Sequence, residues 1–321
     1  MLHRHLLHTG FVLLCALFSA TVYADKDKDI NLVVFGDSLS DPGNLYALTG
    51  LSAQAPYELI PGAPYVIGDY HLTNGDTWIE QLADKLDIKS GPAFVKSRYG
   101  NYAVGGARAR ATGFMDLTTQ VGSYLANAKH IDSANTLYVV MIGGNDVRDA
   151  IEVLQTDATG ASSMQILTAA LTSVSDNILA LQAAGARHIV VANAPDLAIV
   201  PAIIMAGPQA QGAAHFMSVS YNTALDGLLD QLEAALPVQF MRLDLYSFLY
   251  AVIAMPADYG LVNVTTPCLS FGVVVNAVCD KPDEYLFWDG IHPTTKAHGA
   301  IAAYARQLIQ TKKHRNNRYV F

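Results

Sequence analysis

Hydrophobic positions in this chain fall into short unbroken runs separated by longer stretches with helical spacing. Residues 30–35 (Ile-Asn-Leu-Val-Val-Phe) and 136–142 (Thr-Leu-Tyr-Val-Val-Met-Ile) are apolar and β-branched without alternation, as expected of strands covered on both faces. Residues 98–104, 188–192 and 238–243 complete a set of five predicted strands. Between them, Trp78, Ile79, Leu82, Ala83 and Leu86 recur at the period of one helix face. Residues 117–128, 162–184, 209–236 and 294–309 are helical by the same test, and Gly185 supplies a C-cap after the third of these five helices. Strands alternating with helices predict an α/β fold with a mostly parallel five-stranded sheet. Residues 38–48 read as a short helix or turn, 56–75 and 256–282 as irregular, and 312–315 as a solvated basic terminus.

Three of the predicted strands end in polar or glycine-rich groups. The first runs into Gly36-Asp37-Ser38, the second into Gly105-Gly106-Ala107, and the third into Gly143-Gly144-Asn145-Asp146. In a parallel sheet these ends share one edge, so residues far apart in sequence converge. Acyl transfer needs a nucleophile, a base, a group orienting the base, and donors for the developing oxyanion. Ser38 supplies a hydroxyl, Gly106 a backbone N–H that no side chain shields, and Asn145 an amide donor. Gly-Asp-Ser alone is also ordinary turn composition, so Ser38 needs partners. Asp289 and His292, in Phe287-Trp288-Asp289-Gly290-Ile291-His292-Pro293, are three residues apart, which lets one loop provide both base and orienter. Taken singly, Asp289 also suits a helix cap and His292 a satisfied surface histidine. Asp37, Asp41 and Asp146 read as structural carboxylates bracing the turns, since charge beside an oxyanion would oppose it.

Composition narrows the rest. The 321 residues carry a net charge of −8 and are 51% hydrophobic, which suits one sizeable core and offers no basic face for nucleic acid. Residues 1–24 have the form of a secretory signal: Arg4 and several histidines, an apolar run at 11–18, and Val22-Tyr23-Ala24 before Asp25. That run is shorter than the roughly 20 residues needed to span a bilayer, and no second candidate is evident downstream. Bulky Leu14 argues against Cys15 as a lipoprotein site. Residues 25–321 are then one exported domain, periplasmic or secreted, in which only Cys268 and Cys279 remain. Close together in an exported chain, they are expected to form a disulfide rather than a metal pair, leaving serine as the nucleophile.

Phe35-Gly36-Asp37-Ser38-Leu39-Ser40-Asp41-Pro42-Gly43-Asn44, Asn101-Tyr102-Ala103-Val104-Gly105-Gly106-Ala107, Gly143-Gly144-Asn145-Asp146 and Asp289-Gly290-Ile291-His292-Pro293-Thr294 resemble, in order, the four blocks of the GDSL esterase/lipase family of SGNH hydrolases. Similarity continues through Thr73-Asn74-Gly75 to Leu86 and from Asp244 to Cys268, and is nearest to the branch of secreted bacterial phospholipase-like and haemolysin-like proteins and plant GDSL lipases. The resemblance implies a flavodoxin-like α/β/α sandwich with Ser38 as nucleophile, His292 as base and Asp289 as its partner. It implies an oxyanion hole of the Ser38 N–H, the Gly106 N–H and the Asn145 side chain, Gly106 being chosen by its place before the alanine. No cofactor or metal is called for. The expected partner is a small-molecule or lipid ester, including lysophospholipids, phospholipids and short-to-medium acyl esters, with peripheral contact to a membrane or micelle. Transfer to an alcohol acceptor, and a catalytically silent surface-binding protein on the same fold, are the alternatives. Oligomeric state is not legible.

Overall fold

The computed structural model describes residues 31–50, 69–96, 100–128, 135–270 and 277–315. The expected leader and most of the 56–75 loop lie outside the described residues. The chain runs β1 (Asn31–Gly36), α1 (Asn44–Thr49), α2 (Trp78–Lys85), α3 (Leu117–Asn127), β2 (Thr136–Met141), α4 (Gly144–Val153), α5 (Ala161–Ala183) and β3 (His188–Ala192). It continues through a 3-10 turn (Leu197–Ile199), α6 (Pro201–Ala206), α7 (Pro208–Ala235), β4 (Gln239–Leu243), α8 (Leu245–Ala254), β5 (Asn263–Pro267), β6 (Tyr285–Phe287) and α9 (Thr295–Arg315).

Strands β1-β2-β3-β4 form a parallel sheet in that spatial order, with Gly36 level with Met141, and Ala192 with Leu243. Helices cover both sides: α5 packs with α3, α4 and α7, while α2 packs with α9. Every residue of β2 is buried, which explains its unbroken apolar run. Phe35 lies against the rings of Tyr102 and Tyr124. Helix α5 is long and apolar enough to cross a membrane by length and composition, contrary to the expectation that no such segment follows the leader. Its face of Leu167, Ala170, Val174, Ile178 and Leu181 is nevertheless spent on the core.

The predicted second strand is a correction. Residues 100–104 do lie beside β1, through Val34 N to Gly100 O (2.8 Å), Tyr102 N to Val34 O (2.8 Å) and Val104 N to Gly36 O (3.2 Å). Only isolated bridges at Asn101 result, to Val34 and to Pro92, so the main sheet has four strands, and β5 pairs with β6 in a separate one. The outer edge of this segment is met by one backbone donor, Ala93 N to Asn101 O (2.9 Å), and otherwise by side chains. Asn44 Nδ2 donates to Asn101 O and Ala103 O, and Asn101 Oδ1 accepts from Ala103 N. The basic residues 312–315, expected as a solvated tail, continue α9: no Gly or Pro interrupts them, and cations favour a helix C-terminus.

Candidate active site

The nucleophile turn is shaped by the contacts made at the end of β1. Gly36 is needed because a Cβ there would lie 2.7 Å from Met141 O. The buried Gln120 of α3 clamps it from both sides, accepting from Gly36 N (2.9 Å) and donating to Gly36 O (2.8 Å). A tight turn comes next, Ser40 N donating to Asp37 O (3.1 Å), with half-buried Ser38 within it. The Ser38 N–H has no partner among the described residues. Asp37, buried, accepts from Leu39 N, and burial pushes its carboxyl from 3.8 up to about 6. Asp41 accepts from Gly43 N (2.9 Å), Leu45 N (3.0 Å) and Gly105 N (2.7 Å), joining this turn to the second block; burial raises it also, to about 6.

That last bond separates the two glycines by what their N–H groups meet. Gly105 spends its N–H on Asp41, whereas Gly106 N–H is unpaired among the described residues. The turn closes from Ala107 N to Val104 O (3.1 Å), and Gly106 takes φ +76°, a conformation that favours glycine. Asn145, at the start of α4, donates through Nδ2 to Ala107 O (2.9 Å), which keeps its amide against the same turn and leaves its second N–H available. Gly143 before it has φ +119° and no room for a Cβ, which would fall 2.2 Å from the Tyr221 hydroxyl. Asp146 is buried and binds Ala109 N (2.7 Å) and Arg110 Nη1 (2.8 Å), while Asp149 takes Arg108 and Arg110. All three aspartates flanking the site are therefore occupied in bracing turns, in keeping with a structural role.

The base loop comes after β6. Asp289 is fully buried; its Oδ1 accepts from Ile291 N (2.8 Å) and His292 N (2.7 Å), and its Oδ2 lies 2.7 Å from His292 Nδ1. Burial alone would raise the Asp289 carboxyl, but the His292 charge and these bonds hold it below its ordinary value. Trp288 N donates to His292 O (2.7 Å), closing the loop on itself. Thr73 Oγ1 donates to Pro293 O (2.7 Å) and Thr295 N to Asn74 Oδ1 (2.8 Å), so the Thr73-Asn74-Gly75 stretch secures the loop exit. On the other side, Cys268 N and Leu269 N donate to Phe287 O and Trp288 O, and Cys268 is disulfide-bonded to Cys279. His298, one turn into α9, is pushed down to about 3 by burial, with His292 and His71 adding to the effect, and is neutral beneath the loop.

Ser38, Asn145, Ile291 and Pro293 open onto one cleft between the strand ends and the loops after them. Much of its wall is apolar, with Leu197, Val200, Ile203, Leu245, Leu249 and Ile301, and Asp37, Arg148 and Asn193 line it too. Ser38 and Asn145 thus line one cleft with Ile291 and Pro293, the neighbours of His292; Asp289, His292 and Gly106 do not line it, Gly106 being joined to Asn145 through Ala107. Among the described residues, no three His, Cys, Asp or Glu side chains gather as a metal site. Sequence reasoning missed Gln120; its only signal is a polar residue beside Leu117 and Val121, the buried stripe of α3. It also passed over Asp196, which is buried and accepts from His215 Nδ1 (2.6 Å), the Tyr250 hydroxyl (2.7 Å) and Ala198 N (2.9 Å).

A family model for GDSL-like lipases and acylhydrolases matches residues 32–305. A GDSL esterase/lipase of Arabidopsis thaliana is 27% identical, with 90% of each chain covered. Lipase 1 of Photorhabdus luminescens is also 27% identical over 87% of this chain but 50% of its own length, so this chain spans half of that protein. The thermolabile hemolysin of Vibrio parahaemolyticus is 24% identical over 89% of this chain and 65% of its own. Among solved structures, LAE5, an α/β hydrolase from the metagenome of Lake Arreo, covers 88% of this chain and 95% of its own at 14% identity and a TM-score of 0.48. The matched region contains all four blocks, and the chain belongs to the GDSL lipase/acylhydrolase family as a serine carboxylic ester hydrolase.

Proposed function

We propose that the protein hydrolyses carboxylic esters of lipids, lysophospholipids and phospholipids among them, through an acyl-enzyme on Ser38. The observation carrying this reading is the buried Asp289–His292 pair, 2.7 Å apart, beside a cleft that holds Ser38 and is lined mostly by apolar side chains, with Asp37, Asn145, Arg148 and Asn193 among its polar groups. Asp289 bonds Nδ1 and so leaves Nε2 as the basic nitrogen. His292 takes the Ser38 proton as Oγ attacks the acyl carbonyl. The oxygen that becomes negative is received by the N–H groups of Ser38 and Gly106 and the free N–H of Asn145, donors fixed beforehand by the Asp41 and Ala107 bonds. Collapse expels the alcohol, which takes the proton from His292. Water, deprotonated by the same nitrogen, then attacks the acyl-Ser38 ester; the acid leaves and Ser38 regains its proton.

The aliphatic walls favour an acyl chain over a sugar or a charged acyl group, because an apolar group gains by leaving water there and a polar one would lose its hydration. The disulfide fits an oxidising compartment, and with the expected leader it supports export to the periplasm or beyond. Ser38→Ala in the full chain should lower turnover of p-nitrophenyl butyrate and of lysophosphatidylcholine by roughly 10⁴-fold or more while leaving thermal unfolding unchanged. Near wild-type hydrolysis by the folded variant would sink the assignment. For the lipid reading, kcat/KM should rise with acyl length from four to twelve carbons, and a falling profile counts against it.

A further inference from the structure

Among the described residues that line the catalytic cleft, only Asp37 and Arg148 are charged. Arg148 follows Asn145 by three residues on α4, so the two side chains are neighbours on one face of that helix, while Val147 and Ala150 are buried in the core. Its Cα lies about 4.5 Å further along the helix axis than that of Asn145. A cation therefore stands beside the amide that would receive the oxyanion.

Two other arginines at this end of α4 are fully engaged. Arg108 donates to Asp149 through Nε and Nη2 (both 3.0 Å), and Arg110 donates to Asp149 (2.6 Å) and Asp146 (2.8 Å). Arg148 makes only looser ion pairs among the described residues, from Nε to Glu152 Oε1 at 3.5 Å and from Nη2 to Asp149 Oδ1 at 3.7 Å. The Glu152 side chain is 59% exposed, which leaves that pair screened and weak, and Asp149 is already shared by Arg108 and Arg110. Asp37 is buried, accepts from Leu39 N and is not an ion-pair partner of Arg148. Arg148 Nε is buried and has no hydrogen-bond partner among the described residues. A buried donor on a charged group is costly until an acceptor meets it.

We propose that Arg148 selects the alcohol half of the ester, its guanidinium binding a phosphate group carried by that alcohol, as in a lysophospholipid, while the aliphatic residues of the cleft take the acyl chain. The inference rests on the reading of the cleft as an ester site and deepens it, naming which part of the substrate meets which part of the wall. Chemistry selects the ligand: a guanidinium holds several N–H donors in one plane, in a fork that matches phosphate oxygens. Position selects the half: Val200, Ile203, Leu245 and Leu249 come from elements other than α4 and favour an acyl chain, which leaves the stretch beside Asn145 and Arg148 to the departing group. The net charge of −8 opposes the approach of an anion, so a preference for one has to come from a local group.

The test compares, in the full chain, two soluble esters that differ only by the phosphate: 1-hexanoylglycerol 3-phosphate and 1-hexanoylglycerol, both below their aggregation limits. Wild type should prefer the phosphate ester by roughly tenfold or more in kcat/KM. Arg148→Gln should lower that ratio by roughly tenfold or more, and Arg148→Lys, which keeps the charge without the fork, should recover part of it. Equal losses on both esters would give Arg148 a purely structural role and overturn the proposal. A wild type without the preference overturns it too, and that result needs no variant to fold. A third pair, p-nitrophenyl hemisuccinate against p-nitrophenyl butyrate, puts the anion on the acyl half; a preference for hemisuccinate that Arg148→Gln removes would place Arg148 on the wrong side and sink the assignment. Cleavage of p-nitrophenyl butyrate with no phosphate preference refutes this inference alone, whereas failure on every ester removes the hydrolase reading and this inference with it.

Discussion

Gln120 is the most exacting test of how this site is built, because it touches none of the expected substrate yet holds the strand end from which Ser38 departs. Its carboxamide accepts from Gly36 N and donates to both Gly36 O and Met115 O, all within a fully buried position. In Gln120→Ala, Gly36 O keeps its bond from Val104 N, but Gly36 N–H loses its partner. An unmet buried donor costs about 1–3 kcal/mol. With the void left by the missing side chain, a loss of about 3 kcal/mol is expected, on the order of 100-fold in the unfolding equilibrium. Displacement of the Asp37–Ser38 turn should also lower kcat by roughly tenfold or more with little change in KM, since the donors and nucleophile fall out of alignment. Urea unfolding with a fixed m-value, alongside kcat and KM on p-nitrophenyl butyrate, measures both. Ser123→Ala on the exposed side of the same helix should stay within about 0.5 kcal/mol. A Gln120→Ala protein that loses less than about 1 kcal/mol and keeps its kcat would refute the clamp.

Asp289→Asn keeps an oxygen for the Ile291 and His292 N–H groups but turns an NH2 toward His292 Nδ1, which forces the ring proton onto Nε2, the nitrogen proposed as the base. A loss of about 10⁴-fold in kcat is expected, and a kcat within tenfold of wild type would remove Asp289 from the role. Stability should also respond to Asp37. Its carboxyl rises from 3.8 to about 6 on folding, so between these values the folded state holds a proton that the unfolded state has released. Stability is therefore lost as pH rises through that window, by up to about 3 kcal/mol for this group. Asp41 acts in the same direction. Asp289, held low, acts oppositely and below about pH 4. Urea unfolding at pH 4, 5 and 6 should show a shallower slope in Asp37→Asn; the wild-type slope in that variant would contradict the role given to burial.

Sequence alone determined the layering of this protein and the chemistry of its catalytic loops. Short apolar, β-branched runs bounded by turn residues suit strands with both faces covered, and 30–35, 136–142, 188–192 and 238–243 lie within a residue of β1 to β4. Asp289 and His292 were legible because a partner three residues away needs only a turn to be reached. Gly106 is favoured over Gly105 in the sequence only by its place in the resembled block; the physical difference between them depends on where Asp41, 64 residues from Gly105, sends its carboxylate. The fifth strand dissolved because Asn44 and Asn101 compete for its backbone with side-chain amides, and no local pattern records a competitor that arrives from another segment. Gln120 escaped for the same reason, a helix residue whose partners lie 84 positions earlier. Local periodicity reports what each segment buries. Which polar group meets which is fixed only when the segments pack, and that is where the Gly36-Asp37-Ser38 turn was decided, clamped by Gln120 and tied through Asp41 to Gly105.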